Sequence, residues 1–364
     1  MADLHRGRCY WARARPRATT CAERTGHTLI ALSARTLNVI SKCPEYDEFG
    51  EDRASGRSRR RLRHNSRMPK TPKERVAYSA IADRPPLLLP DSARMVVWPV
   101  VNVEYWDIQR PMPRTALPPP MGQPLLPDLP NWAWHEYGMR VGFWRLYECM
   151  RRFHIVPTLA LNGSVCAEYP RVAQAALDGG WEFMGHGFVQ VPMHRLEDQR
   201  AAIRQTIEAI RAFTGKPPRG WESPGLTETF ETIDLLAEEG IEYVANWVID
   251  DQPVDISTPA RTIVAMPYTV EINDVPMMAV SQHASEEWLK RGIRQFDRLY
   301  EESTAQRRPA GARVMAISVH PFLSGVPHRI GYVEELFEYV LSKPGVVCWS
   351  GDRILDWYLK ARSK

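Results

Sequence analysis

The chain contains no Cys-x-x-Cys pair; its six cysteines stand at positions 9, 21, 43, 149, 166 and 348. That spacing draws neither a disulfide framework nor a zinc knuckle, and it favours a reducing, cytoplasmic compartment. Also missing is any uninterrupted apolar run approaching the roughly 18 residues that cross a bilayer, so no membrane association is expected. The nearest thing to a secretion signal, Thr28 to Leu32, is short and soon broken by Arg35.

Charge, by contrast, is abundant and unevenly placed. Residues 1–67 hold 15 Lys and Arg against 7 Asp and Glu, a net of +8, so the rest of the chain carries −4 against a total of +4. The basic stretch Arg57 to Arg67 could in principle meet a polyanion. No aromatic residue interleaves with its arginines and the body repeats no such motif, so nucleic acid is disfavoured as a partner. Residues 1–67 are expected to form a disordered basic arm; translation beginning at Met68 is a further reading. Residues 68–364 are expected to form the catalytic body.

Within the body the pattern alternates. The apolar run "MVVWPVVNVE" is followed by a Pro-rich loop, Pro111 to Pro130, long enough to serve as a lid. Then come the helical "HEYGMRVGFWRLYECMRRF" and the strand "TLALN", and the helix "PRVAQAALDGG" before the strand "WEFMGH". In "RLEDQRAAIRQTIEAIRAFTG", Ile203, Ile207, Ile210 and Thr214 share one helical face and Gly215 marks the stop. Later units end in "EYVANWV", "RVMAISVH" and "VVCWSG", with "TIVAMPY" and "MMAVSQ" in a less regular middle. Seven or so strand–helix units running one way predict an α/β fold with a parallel sheet, most economically a (β/α) barrel.

The polar residues fall where such a barrel does chemistry. Glu104, Asn162, His186, Glu222, Asn246 with Asp250 and Asp251, and His320 all lie at or just beyond the C-terminal ends of apolar strands. A buried strand-end carboxylate at Glu104 would have a raised pKa and could act as a general base. His186 precedes Gly187, which lets the chain turn or leaves room for a ligand. His320 titrates near neutrality and suits a proton donor. Asp250 or Asp251 could orient a histidine, and backbone N–H groups near Glu222 and Pro224 could hold an oxyanion. Trp106 and Trp247 could wall a pocket for a flat ring.

With these residues in view, the chain resembles the polysaccharide deacetylase (NodB-homology) superfamily and, within it, the allantoinase-like, cyclic-imide-hydrolase-like branch. The resemblance runs from about Ala93 to Tyr358 through "NVEYWD", "HEYGMRVGFWRL", "GHGFVQ", "GWESPGLTE", "ANWVIDDQP", "MPYTVEINDV" and "VHPFLSGVPHRI". It implies a distorted (β/α)7 barrel. Metal-dependent members supply an Asp and two histidines four residues apart; this chain has Glu104, and keeps His186 but carries Gln190 in the later position. The allantoinase-like branch also lacks that second histidine and is regarded as working without metal. His320 matches the family's late histidine, the leaving-group acid, with Asp250 or Asp251 at the motif that orients it. The branch has a longer, Arg-containing stretch after the Gly-Trp matched by Gly220 and Trp221, so allantoin itself is not the expected substrate.

The expectation is therefore a hydrolase of non-peptide carbon–nitrogen bonds, acting without a cofactor on a small cyclic amide, ureide or imide. Glu104, His186 and His320 would be catalytic, with Trp106, Glu222, Pro224, Trp247, Asp250 and Asp251 binding or orienting. Two alternatives stand beside it: a metal-dependent N-deacetylase of amino sugars, with a divalent ion such as zinc, and a non-catalytic barrel that binds a ring compound. A small molecule is the expected partner, and amphipathic helices such as "EELFEYVL" would serve a homo-oligomer.

Overall fold

A computed structural model describes residues 70–303 and 311–363. The expected basic arm of residues 1–67 lies outside them. Among the described residues the body is built on nine strands: β1 (Met95–Val103), β2 (Thr158–Leu161), β3 (Glu182–Gly185), β4 (Gly220–Trp221), β5 (Tyr243–Val244), β6 (Val254–Ser257), β7 (Thr262–Ala265), β8 (Arg313–Val319) and β9 (Val346–Cys348). They lie in the order β6-β7-β5-β4-β3-β2-β1-β8, with β9 also on β1. Every pairing is parallel except β6 with β7. The expected distorted barrel is thus a strongly curled sheet, and across the gap between its ends the Val314 N–H donates to the Asp251 carbonyl at 3.0 Å.

β1 is the axis. All nine of its residues are buried, as a Val-rich run covered on both faces should be. Strand alternation sorts its side chains: Val97, Val101 and Val103 pack outward with Phe143 and Leu146, and Val96, Trp98 and Val100 pack inward with Met184 and Tyr243. Carrying that alternation one step past Asn102 puts Glu104 on the inner side.

Helices between the strands supply the outer layer. The helix Gln199–Thr214 starts where the Asp198 carboxylate accepts the Ala201 N–H and stops at Gly215, whose φ of 81° is left-handed. Its expected apolar face turns inward with Ile203 and Ile210 fully buried. Two stretches depart from the sequence reading. "EYVANWV" pairs as strand only at Tyr243–Val244, and "MMAVSQ" forms part of a π-helical turn, Val275–Val280. No helix of the described residues is long and apolar enough to cross a membrane.

Candidate active site

At the C-terminal ends of the strands the ladder continues for one residue beyond each strand. Asn162 N–H donates to the Val103 carbonyl (3.1 Å), His186 N–H to Leu161 (3.0 Å), Glu222 N–H to Gly185 (2.8 Å) and Ala245 N–H to Trp221 (2.9 Å). Residues held in this way have backbone as rigid as the sheet, which suits side chains that must keep a geometry. Two of them, His186 and Glu222, join Glu104 and His320 around a cavity of about 810 Å³ that opens to solvent.

Its floor is a cluster of acids and imidazoles. Glu104 Oε1 lies 3.7 Å from His186 Nε2 and 3.7 Å from His320 Nε2. Those gaps exceed a hydrogen bond, so the three groups are gathered with capacity left toward a fourth. His186 Nδ1 faces the Glu222 carbonyl at 2.8 Å; a carbonyl only accepts, so Nδ1 carries the hydrogen and, in the neutral ring, Nε2 carries the lone pair. That Nε2 is buried and has no hydrogen-bond partner among the described residues. His320 is held differently. Its Nδ1–H donates to Asp274 Oδ1 (2.6 Å), its backbone N–H donates to Oδ2 of the same carboxylate (2.7 Å), and the Ser324 hydroxyl donates to Oδ2 as well (2.6 Å).

The expected raised pKa of Glu104 is corrected by its surroundings. Burial alone would lift it, but His186, the charge of His320 and the Trp106 N–H outweigh burial and hold the carboxyl down at about 2. It stays ionised, and its intrinsic basicity is low. Both histidines move up from the ordinary imidazole value. Burial opposes the charge of His186, but the Glu222 and Glu104 carboxylates overcome it; for His320 burial is overcome by Asp274 first, then by Glu104 and Glu222. Burial lifts the Glu222 carboxyl, and its Oε2 has no hydrogen-bond partner among the described residues.

The residues expected to bind or orient are distributed unevenly. Trp106 is buried and donates from Nε1 to Glu104 Oε2 at 2.6 Å, so it holds the carboxylate rather than walling the cavity. Glu222 and Pro224 line the cavity. Gly187 beside them has φ 74°, and a Cβ there would sit 2.8 Å from Pro224 Cγ, so the turn after His186 needs glycine for both reasons. Of the backbone N–H groups near Pro224 expected to hold an oxyanion, Pro224 has none, Ser223 N–H donates to Asn246 Oδ1 (2.7 Å) and Leu226 N–H to the Ser223 carbonyl (2.8 Å), so that role would need Gly225, which lines the cavity. Trp247, Asp250 and Asp251 do not join the site. Trp247 donates to Glu228 (2.8 Å), Asp250 pairs with Arg84 (2.6 Å), and Asp250 and Asp251 line a different cavity with Tyr78 and Val314. The strand β5 ends at Val244, which leaves these residues too far along the chain to reach the centre.

Two site residues were missed from sequence. Asp274, within the quoted "MPYTVEINDV", caps the π-helical turn Val275–Val280, and no helix or strand periodicity in the sequence announces it. His135, in "HEYGMRV", is buried with Nε2 at 2.9 Å from the Glu104 carbonyl, which requires an N–H there, and its ring stacks on Trp106 at 4.6 Å. Burial holds its pKa down at about 4, so it is a neutral brace for the Glu104 backbone. Its spacing reads as an ordinary helical position, and only contact with Glu104 distinguishes it.

Gln190 decides how a metal would fare. Tyr105 N–H donates to Asn162 Oδ1 (2.8 Å), which fixes the Asn162 amide with its Nδ2 toward Gln190 Oε1 (3.1 Å). Gln190 must then present Nε2, which donates to Glu104 Oε1 at 2.7 Å. An N–H therefore occupies the lone-pair direction where a cation would sit, and the amide oxygen faces away. A catalytic zinc wants three protein ligands and an open position, and among the described residues no group of three or more His, Cys, Asp or Glu is arranged to hold a metal ion. The donor set does not fit a metal centre at the family's position.

Comparison with known proteins bears on this geometry. The family model described as Polysaccharide deacetylase matches residues 135–244. A structure titled as a probable polysaccharide deacetylase from Pseudomonas aeruginosa PAO1 is 26% identical, with a TM-score of 0.68 over 76% of this chain and 95% of that one. Residues 135–244 carry a polysaccharide deacetylase domain, and the chain is an enzyme. The structure of Puue allantoinase shares the superfamily fold at TM-score 0.68 and 24% identity, over 78% of this chain and 96% of that one. A peptidoglycan deacetylase of Helicobacter pylori is 22% identical over 60% of this chain and 84% of its own length. The matched proteins are titled as deacetylases and an allantoinase, and hydrolase is the coarse class they support.

Proposed function

We propose that the enzyme hydrolyses a carbon–nitrogen bond in a small cyclic amide, ureide or imide, without a metal, by a pair of histidines on either side of Glu104. The observation that carries this reading is the 3.7 Å approach of Glu104 Oε1 to both Nε2 atoms at the floor of an open cavity. Water there would be held by the Glu104 carboxylate and lose its proton to His186 Nε2 as its oxygen bonds to the carbonyl carbon. The carbonyl π pair moves onto oxygen, facing the His320 imidazolium. Collapse of the tetrahedral species breaks the C–N bond, and the nitrogen takes the His320 proton. His186 then returns its proton through solvent and His320 is recharged, so one water is consumed per amide. Asp274 favours the charged form of His320, which suits it to the acid role; His186 meets a neutral carbonyl at Nδ1 and is the better base.

Gln190 supports the metal-free reading, because its N–H takes the place of a cation beside Glu104. Deacetylation of amino sugars by a metal would need that position free. The apolar wall above the histidines, with Met112, Val191 and Leu226, supports a compact ring as substrate.

The test is turnover of hydantoins, dihydropyrimidines, succinimide, allantoin and N-acetylglucosamine oligomers, with and without zinc, followed by a pH profile. Both histidines titrate above their ordinary value, so the acid-side limb (His186 losing its proton to become a base) and the alkaline limb (His320 losing the proton it must donate) should both lie above pH 6.5. A profile with no acid-side limb down to the range of Glu104 would return the base role to that carboxylate. Turnover of sugars alone, dependent on zinc, would overturn the proposal.

A further inference from the structure

The cavity mouth carries charge of the opposite sign to its floor. Among the described residues, Glu104 and Glu222 are the only carboxylates lining it and both are buried at the bottom, whereas Arg110, Arg114 and Arg195 line it from the exposed rim. Between them the wall is apolar, with Met112, Val191, Pro192, Leu226 and Val275 among its residues. Elsewhere on this surface many arginines lie against carboxylates, as Arg151, Arg200, Arg204 and Arg211 do. At the mouth, and among the described residues, the Arg110 side chain reaches only Asp107, at 3.3 Å, Arg114 reaches only the carbonyl of Pro113, at 3.4 Å, and Arg195 has no side-chain partner. Two segments distant in sequence, the loop 107–114 and the 3-10 turn Met193–Arg195, bring these cations to one opening.

Resting on the hydrolase reading, we infer that the substrate is an anion: a small ring amide carrying a carboxylate, taken up with the ring against the apolar wall, the amide over His186 and His320, and the carboxylate at the rim. The electrostatics admit one orientation. A carboxylate pushed to the floor would meet Glu104 and Glu222 in a poorly solvated space, where like charges repel strongly. At the rim it meets guanidinium groups that match its planar, bidentate geometry. A neutral ring amide would leave Arg114 and Arg195 facing solvent and would gain nothing from them.

The test compares acids with neutral amides of the same shape: hydantoin-5-acetate with hydantoin-5-acetamide, and dihydroorotate with its carboxamide. Binding is measured by calorimetry on the full chain bearing Glu104→Gln, and by thermal shift on the wild type should that variant fold poorly. An acid should bind roughly 10-fold or more tightly than its amide at low ionic strength, and the ratio should shrink as salt screens the rim. Arg195→Ala and Arg114→Ala should each reduce the acid-to-amide ratio by roughly 3- to 10-fold, and Arg195→Lys should keep part of it. Equal affinity for acid and amide, failure of every acid to bind, or a preference insensitive to both alanine substitutions would overturn the inference. An intact preference with no turnover by the wild type would instead sink the hydrolase reading and leave the anion site standing.

Discussion

Two buried glutamates at opposite ends of the sheet show what burial does and does not decide. Glu104 follows β1 at the open end of the barrel; Glu182 begins β3 at the other end, 8% exposed. Glu182 accepts from the Thr158 hydroxyl (2.6 Å) and the Tyr243 hydroxyl (2.6 Å), while Thr158 itself accepts from Trp98 Nε1 (2.8 Å) and the Gly351 N–H (2.9 Å). Burial raises Glu182, the charge of Asp352 adds to it, and its carboxyl reaches about 7. Glu104 is at least as buried, yet sits at about 2, because two imidazoles face it. The partner, not the depth, sets the charge. One end of the barrel holds an ionised acid beside an open cavity, and the other holds an acid bound by two hydroxyls and the Asp352 backbone N–H and closed in by packing.

The comparison can be broken most severely at the open end. Glu104→Gln keeps the side-chain shape but removes the charge facing both histidines, and should lower kcat roughly 100- to 10,000-fold with the fold intact by circular dichroism. Asp274→Asn should act through His320. Losing the carboxylate lowers the imidazole pKa, so the alkaline limb of the kcat profile should move to lower pH and kcat should fall roughly 100-fold, with KM changed far less. An unmoved limb would remove Asp274 from the positioning of the acid.

At the closed end the expected effect is on stability. The carboxyl of Glu182 is raised in the folded state from the ordinary 4.5 to about 7, so between those values the folded protein binds more protons than the unfolded one. Stability from this group is therefore complete below about pH 4.5 and is lost as pH rises through 7, by at most about 3 kcal/mol. Glu182→Gln should flatten the fall in melting temperature across that window, as seen by calorimetry. The smallest effect expected is on kcat: the Glu182→Gln protein should turn over within about twofold of wild type, because nothing in the Glu182 network lines the cavity. A large loss would mean that the two ends are not independent.

Much of the site was legible before any coordinates. Glu104, His186, Glu222 and His320 were found because an apolar strand that ends in a polar residue is a local pattern, and parallel strands deliver their ends to one face. Asp250, Asp251 and Trp247 satisfied the same pattern but fell outside the cavity, since the apolar run before them pairs as strand for only two residues and the chain then leaves the rim. Asp274 and His135 were invisible because their importance comes from contacts with His320 and Glu104, which stand on other segments of the chain.

The sequence by itself determined the strand–helix alternation, the inward register of β1 and the set of residues at the strand ends, since hydrophobic period and chain direction are properties of neighbouring residues. Only the tertiary structure decided their chemistry. Whether Glu104 is a base or a fixed anion, which acid holds His320, and whether Gln190 offers an oxygen or an N–H depend on charges and hydrogen bonds between segments tens to hundreds of residues apart, and electrostatic energy depends on distance in space.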